Sequence, residues 1–190
     1  MPDHASRAAR APGDGRSPAS HLLSNGRHTV MLTDAGAGYT QWNDCAITRW
    51  RADPTCDDRG CWVYLRDVDD DTTWSAGLQP VRRAPDEHAV ESSEDRACIR
   101  RRDGDIQTTT EVLVAGDGDV DVRRITLHNL GSRARTIELT TYAELVLAPA
   151  QGDAAHPAFS KMFVRTEWLG ERAGSVRATR LCRRRHRRPC

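Results

Sequence analysis

An all-β fold, a meander or sandwich of antiparallel strands, is what this sequence predicts, and three observations carry the prediction. Extended runs with apolar and β-branched residues recur along the chain, as in "HTVMLTDA" and "CWVYLRDV". Short turns rich in Gly, Asp, Asn and Ser separate them. No segment carries a convincing amphipathic-helix pattern. At 190 residues the chain is long enough for one domain with a substantial core.

The elements follow in order. Residues 1–20, "MPDHASRAARAPGDGRSPAS", have no apolar period and read as a disordered leader or linker. From His21 the chain becomes strand-like, first in "HTVMLTDA" and then in "CWVYLRDV", which ends in the acidic turn "DVDDDT". "RACIRRRDGDIQTTTEVLV" predicts a hairpin around Asp103-Gly104, a pair suited to a type I′ turn. Asp117-Gly118 marks the next turn. "VDVRRITLHNLGSRARTIELTTYAELVLA" predicts a second hairpin about "NLGSR". Its return strand places Ile137, Leu139, Thr141, Ala143, Leu145 and Leu147 on one face, and Glu138, Thr140, Tyr142 and Glu144 on the other. The composition of "IELTTYAELVLA" also allows a helix, but the period of two fits better.

Charge and cysteine content narrow the function. The net charge of +1 gives no global signature for binding a polyanion. The basic end is local: residues 180–190 continue no strand, and "LCRRRHRRPC" reads as a tail foreign to the domain or as a basic arm. The first reading is preferred, so no nucleic-acid partner is expected. No run approaches the roughly 18 apolar residues of a membrane helix, and the N-terminus has no apolar signal core. The six cysteines (45, 56, 61, 98, 182 and 190) follow no paired framework and are expected as reduced thiols in a cytoplasmic protein. Cys56 and Cys61 have no His at ligand spacing, so no metal and no cofactor are expected.

The stretch "LTDAGAGYTQWNDCAITRW" raises the main functional question. Gly36 and Gly38 bracket a small-residue loop, but no Lys and no helix follow, which removes a phosphate loop. Tyr39, Trp42, Asn43, Asp44, Arg49 and Trp50 supply the mixture that binds a sugar: rings to stack on pyranose C–H faces, and polar groups for hydroxyls. The same Trp residues are equally suited to a core, and composition favours that for each. No catalytic constellation stands out. "SEDRACIRRRDGD" carries Glu94, Asp95 and Asp103 beside a turn, where carboxylates are usually solvated. His28, His88, His128 and His156 are scattered, and no serine has a G-x-S-x-G context.

Longer blocks suggest a family. "LLSNGRHTVMLTDAGAGYTQWNDCAITRW", "SEDRACIRRRDGDIQTTTEVLV", "DVRRITLHNLGSRARTIELTTYAELVLAP" and "AAHPAFSKMFV" resemble, in order, the N-terminal β-sandwich of the glycosyltransferase 36 group, classed with glycoside hydrolase family 94. That group includes cellobiose and chitobiose phosphorylases and cyclic β-1,2-glucan synthases, and the last type is most similar. The resemblance covers residues 21–179. It implies an antiparallel super-sandwich of the galactose-mutarotase-like kind, here incomplete. It also implies a following (α/α)6 barrel, absent from this chain, that carries the general acid and binds inorganic phosphate. The resemblance further implies homodimers, as is usual in the family, in which residues 36–42 correspond to a loop that walls the neighbour's sugar site, with Tyr39 the foremost contact. The resemblance therefore implies a module that binds β-glucan or oligosaccharide and dimerises, inactive alone, from a parent that is cytoplasmic or membrane-associated. A stand-alone glycan-binding sandwich and a non-functional remnant are the alternatives. One departure concerns Ala37, which stands where relatives have Gly and is expected to restrict the loop.

Overall fold

The computed structural model describes residues 19–50, 59–170 and 176–181. The expected leader, apart from its last two residues, lies outside these, as do Cys56, Cys182, Cys190 and nearly all of the expected tail. The chain forms fourteen described strands: β1 (Ser20–Ser24), β2 (His28–Thr33), β3 (Gly38–Trp42), β4 (Cys45–Thr48), β5 (Cys61–Asp67), β6 (Thr72–Ser75), β7 (Glu87–Ser92), β8 (Arg96–Asp103), β9 (Ile106–Val114), β10 (Asp121–Asn129), β11 (Ile137–Ala143), β12 (Leu145–Pro149), β13 (Val164–Trp168) and β14 (Val176–Arg180). Two short helices, α1 (Ala150–Ala155) and α2 (Pro157–Lys161), follow β12. Arg180, the first residue of the expected tail, closes β14.

All pairings are antiparallel, in sheets ordered β1-β2-β3-β4-β12, β10-β9-β8-β7, β11-β5-β6 and β13-β14. The first two pack face to face. Leu23, Val30 and Leu32 from one meet Val90, Ile99 and Val112 from the other in a shared core. A second core joins Leu65 and Trp74 of the three-stranded sheet, and Ala76 just after β6, to Ile106 at the start of β9. The alternation that builds these faces is plain in β9, where Ile106, Thr108, Thr110 and Val112 point inward.

Local chemistry fixes the turns. Asn25 Oδ1 accepts the backbone N–H groups of Arg27 and His28, folding β1 onto β2. The β8–β9 hairpin forms as anticipated, with Asp103 opposite Ile106. Its two-residue turn is Gly104-Asp105, and of the two Gly104 alone has positive φ. That is the signature of a type II′ turn with Gly first, where the sequence suggested type I′.

The expected second hairpin does not form. β10 pairs with β9, whereas β11 leaves for another sheet and pairs with β5. The supposed return strand is itself two strands: it breaks at Glu144, and β12 then pairs with β4. A register shift in β12, with Leu147 at φ 52, turns Val146 and Ala148 inward. On β11 the apolar face given by the alternation does turn to the core through Ile137, but Leu139 on that same face, opposite Leu65, is 44% exposed. A further difference concerns Asp103, one of the carboxylates taken as solvated, which is nearly buried against Arg101. Arg101 itself takes part in a buried network. It is fully buried, forked onto Asp103, and donates to the carbonyls of Gly77 and Arg83.

Candidate functional site: an aromatic and ionic cleft beside strand β3

Strand alternation puts Tyr39 and Gln41 of β3 on one face, beside Ala46 and Thr48 of β4. The chain leaves β4 through Arg49 and Trp50, and β12 and α1 close the far side. Together they line an open cleft of about 280 Å³, near the lower bound of roughly 300 Å³ for small-molecule pockets and suited to a single small ring. The Tyr39 and Trp50 rings sit 5.8 Å apart, tilted by 51°. Both are partly exposed, so each offers ring surface to an occupant.

The polar side of the cleft is an ion network. Arg49 is 6% exposed and Asp153 5%. Arg49 Nε and Nη2 donate to the two Asp153 carboxylate oxygens at 2.7 and 2.6 Å, the bidentate geometry that a guanidinium fork favours. Its Nη1 donates to Glu144 Oε2 at 2.9 Å. Glu144 also accepts from Arg59 at 3.3 Å, Lys161 at 3.2 Å and the Tyr142 hydroxyl at 3.3 Å. Burial alone would raise the Glu144 pKa; the Lys161 ammonium and then Arg49 outweigh it and hold the carboxyl below its usual value. The Asp153 hydrogen bond raises Arg49 in turn. With these carboxylates spent on cations, the cleft presents stacking and hydrogen-bonding surface rather than a proton donor.

The residues singled out in the sequence divide. Tyr39 and Arg49 share the cleft, with Trp50. Trp42 lies on the other face of β3, and its indole Nε1 donates to Asp119 Oδ2 at 2.7 Å. That bond, with Arg27 beside it, holds the Asp119 carboxyl below its usual value. Gly36 and Gly38 build the β2–β3 turn rather than the cleft wall. A Cβ on Gly36 would come within 3.3 Å of Gly77 Cα, and one on Gly38 within 1.9 Å of the Met31 carbonyl oxygen. Ala37 is fully buried and is not among the positive-φ residues, so its methyl group is accommodated without strain. Asp153 and Glu144 escaped the sequence reading because they reach Arg49 across 104 and 95 residues, leaving no local spacing to detect. Among the described residues no group of His, Cys, Asp or Glu is arranged to hold a metal, and no helix is long and apolar enough to cross a membrane.

Comparison of the sequence with known proteins shows what the chain is similar to. The model of the glycosyl hydrolase 94 supersandwich domain matches residues 8–189. The chain is 47% identical over 147 residues to the cyclic beta-(1,2)-glucan synthase NdvB of Rhizobium meliloti (strain 1021), covering 77% of this chain and 5% of that protein. It is 23% identical over 145 residues to the N,N'-diacetylchitobiose phosphorylase of Vibrio proteolyticus, covering 74% of this chain and 18% of that protein. With the phosphorylase of the same name from Vibrio furnissii it shares 24% over 161 residues, or 82% and 20% of the two chains. The chain thus spans a fifth or less of each of these proteins.

Proposed function

The chain belongs to the glycosyl hydrolase 94 supersandwich family, and from that premise we propose that it is the carbohydrate-contacting and dimerising module of a β-glucan phosphorylase or cyclic β-1,2-glucan synthase. The observation that carries the reading is the Tyr39–Trp50 ring pair set against the Arg49–Asp153–Glu144 network. Stacked rings recognise the apolar face of a glucose unit, and rigid ionic hydrogen-bonding groups recognise its hydroxyls. The bond-making chemistry, and any use of inorganic phosphate, belongs in this reading to a separate catalytic domain. Tyr39 then completes a sugar site shared with a partner subunit, as the resemblance of residues 36–42 implies.

Isothermal titration of the chain with sophorose and with cello-oligosaccharides tests this. Binding at millimolar or tighter affinity to a β-linked glucose oligosaccharide, lost in Tyr39→Ala, is the expected result. Absence of heat with every glycan contradicts it.

A further inference from the structure

One wall of the cleft is attached differently from the others. Residues 150–163 leave β12 as α1 and α2, and α1 lines the cleft with Ala150, Asp153 and Ala154. Asp153 is the only buried residue of α1, and Ser160 the only one of α2. Neither helix has a side-chain hydrogen bond at its N-cap. Nothing lies within 4 Å of where a Cβ on Gly152 would stand. Phe159 and Met162 are 60% and 75% exposed, so they do not anchor the segment. At its far end Phe163 accepts the Leu181 N–H and lies under the Arg180 guanidinium, and the side-chain links of the helices themselves are polar. Asp153 takes the Arg49 fork, Lys161 reaches Glu144, and Ser160 Oγ meets Arg180 Nη1 at 3.2 Å. Segments with few buried apolar contacts open locally at a fraction of the global unfolding free energy.

We infer that residues 150–163 form a strap, latched over the cleft by the Arg49–Asp153 fork and the Lys161–Glu144 link, which lifts to widen the cleft and closes on its occupant. The fork is the principal latch because it is bidentate and buried, whereas Lys161 is half exposed and screened by water. Pro149 at the start of the strap and His156 between its two helices lie outside helical geometry and give the segment its points of bending. That the occupant is a sugar rests on the function proposed above; the motion of the strap does not.

Hydrogen–deuterium exchange of the full chain, read by mass spectrometry, separates the two. In Asp153→Asn, exchange in residues 150–155 quickens by about tenfold or more, while β4 and β12 change by less than about twofold. Lys161→Met gives a smaller increase confined to residues 157–161. An unchanged rate at residues 150–155 in Asp153→Asn, or a rise spread evenly over all strands, overturns the strap. Should Asp153→Asn fail to fold, Lys161→Met decides, since it alters an exposed side chain: unchanged exchange at residues 157–161 overturns the proposal. Slower exchange of residues 150–155 in the unmodified chain with sophorose supports strap and sugar together. The variant signatures without any slowing by sophorose or cello-oligosaccharides uphold the strap and remove the sugar.

Discussion

Gly38 shows how much a single residue constrains this domain. With a Cβ placed 1.9 Å from a backbone oxygen, Gly38→Ala must displace β2 or β3. It is expected to cost about 3 kcal/mol or more, read as a lowered urea midpoint. Its neighbour behaves in the opposite sense. Ala37→Gly removes a buried methyl group and loosens the unfolded chain, so it should destabilise by about 1 kcal/mol. Glu144 makes the acid side of the stability curve testable. Its carboxyl titrates lower in the folded chain than in the unfolded one, so the unfolded state binds more protons as the pH drops. Its contribution is complete above the unfolded value and is lost as pH falls below about 4.5 through the folded value. Thermal melts across this range should therefore fall more steeply for the parent than for Glu144→Gln, which starts lower at neutral pH. Equal slopes would contradict the assignment.

At the scale of elements, β11 and β12 show what the sequence conveys and what it withholds. The period of two is real in "TIELTTYAELVLA", but periodicity does not reveal which sheet a strand joins. The break at Glu144 and the bulge at Leu147 depend on partners in β4 and β5, far away in sequence. A mutational pair measures this. Leu65→Ala, in the fully buried position of β5, should cost about 3 kcal/mol, and Leu139→Ala, opposite it on β11, less than about 1 kcal/mol. A reversed order in chemical denaturation would contradict the unequal burial of these two side chains on one face. The β8–β9 hairpin was legible because its turn residues are local. The cleft was half legible: Tyr39, Arg49 and Trp50 lie in one continuous stretch, whereas Asp153 and Glu144 arrive through the fold.

For the whole molecule, the packed sheets leave apolar surface outside. Val122 and Leu127 on β10, Leu139 and Tyr142 on β11, and Trp168 on β13 are each more than a third exposed. Surface of this kind favours association. Light scattering at rising concentration should give masses above the 21.1 kDa monomer, with the shift reduced in a Leu139→Thr, Tyr142→Thr double variant. A constant monomer mass would contradict a dimerising role. The resemblance read from ordered sequence blocks agrees with the family match, because block order survives where individual side chains change. The proposed function makes the cleft beside β3 the sugar-contacting surface. Its most direct measurement is the set of tryptophan indole N–H resonances during a sophorose titration. The Trp50 signal is expected to move while those of Trp42, Trp62 and Trp74 hold still; a static Trp50, or a shift at Trp42 instead, would remove the sugar from this cleft.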